Sequence, residues 1–159
     1  MPTTAHKLCG RRLFGKSAGA LALALLLPVL LCRAADEKPL SGPAQAVAQL
    51  ASALSQGDSV SALETFDSKS PSYSKTETAV AALTAQAEIL CSIDIIEEKS
   101  SGDTATLDVD WFMTLKPLTG SGSSERRRER VTLWLHQVRG KWRITSVLPI
   151  VILSPITIG

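Results

Sequence analysis

Between Thr104 and Leu148 apolar and polar residues alternate in successive runs, and that alternation restricts the segment to a sheet with one covered face. Leu107, Val109, Trp111 and Met113 interleave with Asp108, Asp110 and Phe112. A polar stretch containing glycine, Pro117 to Ser124, follows. The next run, Arg126 to Val138, carries Val131, Leu133 and Leu135 on one parity. Arg139-Gly140 then has the composition of a two-residue turn, and Lys141 to Leu148 returns as a further strand.

The registers follow from the same pattern. Facing Leu107 with Leu133 and Val109 with Val131 also sets Asp110 opposite Arg130. A slip of one residue would mix the parities and expose a whole apolar face. The turn places Leu135 opposite Ile144 and His136 opposite Arg143. One face is therefore expected to carry Leu107, Val109, Trp111, Met113, Val131, Leu133, Leu135, Trp142, Ile144 and Leu148. The other carries Asp108, Asp110, Phe112, Arg128, Arg130, Trp134, His136, Arg143 and Thr145.

Upstream the period is helical. A first helix is expected to begin at Ser41 or Gly42, with Pro43 in its first turn. Its stripe is Val47, Leu50, Ala51 and Leu54, and Gly57 is its stop. Asp58 is placed to cap a short second helix that buries Leu63 and Phe66. Ser74-Lys75-Thr76-Glu77 has the pattern of a capping box and opens a third helix, with Val80, Leu83 and Ala87 as its stripe. From Ile89 the period returns to two, through Cys91, Ile93 and Ile95. Glu97 to Asp103 is expected to be a polar turn around Gly102. The expected architecture is α+β, one domain: three N-terminal helices packed on a curved four-stranded antiparallel sheet.

This order, the hairpin return Gly140-Lys141-Trp142-Arg143-Ile144 and a closing proline resemble the nuclear-transport-factor-2-like (SnoaL-like) superfamily over residues 43–155. The resemblance implies a sheet wrapped into a cone around the long helix, a pocket at the open end, and frequent dimers. Enzymes of that superfamily place an Asp or His inside the cone. By the register above, the inward parity here is expected to carry no carboxylate and no His.

The first 35 residues have the plan of an export signal. Lys7, Arg11, Arg12 and Lys16 precede an uncharged, Ala- and Leu-rich run, Ser17 to Cys32, too short to span a bilayer and interrupted by Pro28. Cleavage is expected near Ala34 or Ala35. The run Gly10-Arg11-Arg12-Leu13-Phe14-Gly15-Lys16 resembles a bacterial twin-arginine signal, with Gly10 and Gly15 departing from the usual pattern. A lipid anchor on Cys32 is disfavoured by the bulk of Leu31. The expected division is a signal peptide over 1–35, a linker over 36–42, the domain over 43–155 and a tail over 156–159. The destination is then the periplasm or the exterior of a bacterium, with no membrane span once the signal is removed.

Beyond residue 35 the chain holds twelve basic and fifteen acidic residues, a net charge of −3. The basic character of the full chain thus comes from its leader. Glu125 and Glu129 dilute the run Arg126-Arg127-Arg128 and Arg130, which argues against a nucleic-acid partner. His136 is the one histidine left, so no metal cluster is indicated, and nothing in the pattern demands a cofactor. Cys91, on the apolar parity with no basic neighbour in sequence, reads as a structural thiol.

Two readings of the polar parity compete. As chemistry, Asp108 or Asp110 would be a base, with His136 and Arg130 as partners, in an isomerase, cyclase or dehydratase. As structure, the charges form cross-strand pairs on a solvated face, and their regular alternation favours this. Trp111, Met113, Leu133 and Trp142 are the candidates for a pocket that takes a small apolar ligand. Phe112, Trp134 and Arg143 are the candidates for an interface, because large aromatics on an outer sheet face call for a cover. The expectation is an exported, non-catalytic interaction domain that forms a homodimer through that face.

Overall fold

The computed structural model describes residues 39–120 and 122–156, so the expected signal peptide and cleavage site lie outside the described residues, as does most of the tail. Helix α1 spans Gly42–Ser55. The Ser41 hydroxyl accepts the Ala44 N–H at 3.2 Å, which satisfies one of the free donors of the first turn. Gly57, at φ +67°, carries the chain out of the helix in a conformation that side chains resist. Helix α2, Ser59–Glu64, is capped by Asp58, whose carboxylate takes the Ser61 N–H at 3.0 Å and hydroxyl at 2.6 Å. Those bonds hold the Asp58 carboxyl below its usual range.

Helix α3 spans Tyr73–Gln86. The capping box expected at Ser74 is a correction, because the helix already begins at Tyr73 and Ser74 lies within its first turn. Ser72 occupies the cap position in a helical conformation, and its hydroxyl donates instead to the Thr145 carbonyl at 2.6 Å. That bond ties the helix start to the sheet. Ala87 is extended (φ −141°, ψ 145°), so it opens the first strand and does not end the helix stripe.

Strands β1 (Ala87–Ser101), β2 (Thr104–Pro117), β3 (Glu125–Val138) and β4 (Lys141–Leu148) form one antiparallel sheet in the order β1-β2-β3-β4. β1 runs five residues past Ile96, through the stretch expected to be a turn. Both faces are wet at that end, so the hydrophobic alternation vanishes while the ladder persists. The actual turn is Gly102-Asp103, with Gly102 at φ +62°. The β2–β3 register is the expected one, with Leu107 opposite Leu133, Val109 opposite Val131 and Asp110 opposite Arg130. At the Arg139-Gly140 turn both residues have positive φ, 51° and 78°, the geometry that suits the twist of a hairpin.

Leu148 departs from its expected face. A bulge at Thr145 shifts the β3–β4 ladder, so Trp134 faces Ser146 while Leu135 faces Ile144. Beyond the bulge the parity reverses. Val147 enters the core at 4% exposure and Leu148 turns outward at 57%.

The helices and the inner sheet face enclose a continuous core that includes Leu50, Leu54, Val80, Leu83, Trp111 and Leu133. Burial of each such side chain contributes roughly 1.5–3 kcal/mol before entropy is counted. The segment Thr65–Asp67 lies along the outer edge of β4. Ile144 N–H donates to the Thr65 carbonyl, Asp67 N–H donates to the Ile144 carbonyl, both at 2.9 Å, and Phe66 and Ile144 form a parallel bridge. Pro149 precedes a single 3-10 turn, Ile150–Leu153, that buries Ile152 and Leu153. Arg127 holds it in place, donating to the carbonyls of Ile152 (3.1 Å), Ser154 and Pro155 (3.3 Å).

Candidate functional site

The outer sheet face carries the polar set, and Asp108, Asp110 and His136 each have a separate partner. Arg128 reaches across from β3 to Asp110, with Nε 3.2 Å and Nη2 2.5 Å from Oδ2. This pairing, aided by Arg130, holds the Asp110 carboxyl below the usual carboxylate range. Asp108 accepts the Thr132 hydroxyl at 2.6 Å. His136 Nε2 lies 3.2 Å from Asp67 Oδ2, beyond the β4 edge. The three groups are not brought together. His136 faces Thr104 in the register, four residues from Asp108 and six from Asp110 along β2. At about 3.4 Å per residue these separations are roughly 14 and 20 Å. That arithmetic could be done from the sequence, once the register was set.

Phe112 and Trp134 stand among these charges, 40% and 39% exposed, with Leu90 on β1 and Leu148 on β4 more exposed still. Of the four pocket candidates, Trp111, Met113 and Leu133 are fully buried. Trp142 is half-buried at the β4 end and lines a groove of about 550 Å³ between α1, α2 and β4. Gln45, Gln49, Ser52 and Gln56 of α1 form one wall, and Asp58, Ser61 and Glu64 part of the other. Gly42 lets the indole seat, since a Cβ there would come within 2.5 Å of its Cδ1.

Cys91 is half-buried on the inner side and accepts the Trp111 Nε1–H at 3.1 Å from its sulfur. Burial pushes the thiol up to about 11, so it is protonated at neutral pH and unsuited to nucleophilic work.

The inward parity is less purely apolar than the spacing of Val131, Leu133 and Leu135 suggests. Continued backward along β3, it takes in Glu129 opposite Trp111, Arg127 opposite Met113 and Glu125 opposite Leu115. On β1 it includes Glu98, opposite Leu107. Glu98 accepts the Ser41 hydroxyl at 2.5 Å, and Arg127 pairs with Glu125 at 2.7 Å. Glu129 is exposed. The signal for the three β3 residues was present, because parity carries through any unbulged stretch, whereas Glu98 lies beyond the irregularity at Ile95–Glu97 and had none.

Among the described residues no group of three or more His, Cys, Asp or Glu side chains could hold a metal ion. None of their helices is long and apolar enough to cross a membrane.

No protein-family model matches the chain, and no curated protein matches it significantly. Solved structures do. A conserved protein from Planctomyces limnophilus is similar at a TM-score of 0.59 and 12% identity, over 65% of this chain and 88% of that one. A ketosteroid isomerase-like protein from Erwinia carotovora atroseptica is similar at 0.58 and 13%, over 70% and 94%. A nuclear-transport-factor-2-like protein of unknown function from Shewanella oneidensis is similar at 0.52 and 17%, over 65% and 91%. At such identities the likeness is one of fold: the described domain has the nuclear-transport-factor-2-like fold.

Proposed function

We propose that the chain is an exported, non-catalytic interaction domain that pairs with a second copy of itself through the outer face of its sheet. The observation that carries this reading is the pair Phe112 and Trp134, each about two-fifths exposed on an open sheet face. Leu148, turned outward by the Thr145 bulge, stands in the diagonal position beside Trp134 and enlarges the apolar area. Strands of up to 15 residues, about 4.8 Å apart, offer on the order of 700 Å² per copy, close to the roughly 800 Å² that a stable interface needs. The export half of the proposal rests on Arg11, Arg12 and the apolar run after them.

Catalysis by Asp110 is disfavoured by its ion pair. A general base works best when its environment raises its pKa toward neutrality, and Arg128 moves Asp110 the other way. The isomerase-like name of one structural neighbour belongs to that neighbour.

Sedimentation of the domain without its leader tests the pairing. The wild-type protein is expected to sediment as a dimer at micromolar concentration, and Trp134→Glu as a folded monomer. A wild-type monomer at that concentration would defeat the proposal.

A further inference from the structure

At the end of the sheet where β3 turns into β4, two hollows adjoin. The first, about 400 Å³, is lined by Lys69, Arg139, Lys141 and Arg143 over a floor of Phe66 and Val138. Among the described residues, none of these four cations is in an ion pair or donates a side-chain hydrogen bond. The single carboxylate in the hollow, Asp67, is already engaged with His136. The second hollow, about 560 Å³, shares Phe66, Ser68, Lys141 and Arg143 with the first. Its remaining lining is mainly apolar: Val60, Leu63 and Tyr73, with Glu64 at its α2 side.

Four cations without a counter-charge line one corner of an otherwise acidic domain, which makes that corner a local positive field that attracts anions. Arg139 adds to this. It sits at φ 51°, where Gly, Asn or Asp would be easier, so the turn retains a cation despite a conformational penalty. Arginine forks match phosphate oxygens in pairs, and lysines add point charge. A monoanion would leave most of the charge unmatched. The neighbouring apolar hollow has no role for a bare inorganic ion. Both volumes fall in the range of small-molecule sites.

We infer that this corner binds a small soluble organic phosphate, with its dianionic head among Lys69, Arg139, Lys141 and Arg143 and its apolar body against Val60, Leu63 and Tyr73. The site lies at the hairpin end and does not depend on pairing through Phe112 and Trp134.

Calorimetric titration of the domain with phenyl phosphate, inorganic phosphate and phenol tests the inference. Phenyl phosphate is expected to bind about tenfold or more tightly than either fragment, because only it fills both hollows. Replacing both cations of β4 (Lys141→Glu with Arg143→Glu) should weaken it by at least about tenfold and lower the salt sensitivity of whatever binding remains. Val60→Asn, at a position 68% exposed, should weaken phenyl phosphate while leaving inorganic phosphate unchanged. Circular dichroism checks that each variant is folded, and Arg139→Gly supplies a charge deletion that relieves the backbone. Three results would overturn the inference: no binding of phenyl phosphate at millimolar concentration, equal binding by the charge-reversed variant, or binding only to phosphatidylglycerol vesicles.

Discussion

Trp111 joins two residues that the periodicity alone could not connect, itself and Cys91, through an N–H to sulfur contact of 3.1 Å. The thiol has a pH consequence. Its folded pKa is about 11 against an ordinary 9.0, so between those values the unfolded chain loses the proton first. Stability is therefore intact below pH 9 and falls as pH rises toward 11, by about 2–3 kcal/mol if Cys91 acts alone. Urea denaturation at pH 8 and pH 10.5 should show a larger loss for the wild type than for Cys91→Ala. Gly42 supplies a second expectation at this scale. Gly42→Ala must push Trp142 from its seat and should cost about 1–3 kcal/mol, measured as a lower urea midpoint. Residue types alone gave no hint of this glycine, since the contact joins the first turn of α1 to β4, a hundred positions apart.

For the elements, legibility followed the strength of the pattern. β2 and β3 were readable down to their register because every second residue of β2 from Ala105 to Leu115 is buried, and Val131, Leu133 and Leu135 meet that parity. α1 was readable because Ser41, Pro43 and Gly57 each mark an end for a stated steric reason. The bulge at Thr145 left no such mark, and Leu148 was misplaced as a result. It yields a discriminating pair of variants: Val147→Ala should destabilise the domain by about 1–2 kcal/mol, while Leu148→Ala in a monomeric background should stay within about 0.5 kcal/mol. After β4, Pro149 and the carbonyls held by Arg127 dictate a turn where a run of apolar residues alone would suit a strand. Arg127→Met should leave those carbonyls without a charged donor. Hydrogen exchange in residues 150–156 should then accelerate about tenfold or more while the sheet amides are little changed.

On the scale of the whole molecule, the candidate sites were harder to read than the fold. Phe112 and Trp134 could be named because parity put them outside. The cationic corner could not, since Lys69 comes from the loop before α3 and reaches Arg139, Lys141 and Arg143 only through the bridge between Phe66 and Ile144. The proposed export is tested at this scale as well. Substituting both Arg11 and Arg12 by lysine is expected to hold the full-length precursor in the cytoplasm, as followed by cell fractionation; unchanged release would point to the general secretory route.

The Thr65–Asp67 segment along β4 has a consequence for how copies can meet. It takes up the N–H and carbonyl of Ile144 at the middle of β4, so a foreign strand cannot run unbroken along that edge, and β1 is the longer open one. There an irregularity at Ile95–Glu97 breaks the straight row of amides, and Glu88, Glu97 and Lys99 hold charge along it. Runaway fibril growth is thereby discouraged on both flanks, and the molecule can keep large aromatics in solvent without polymerising.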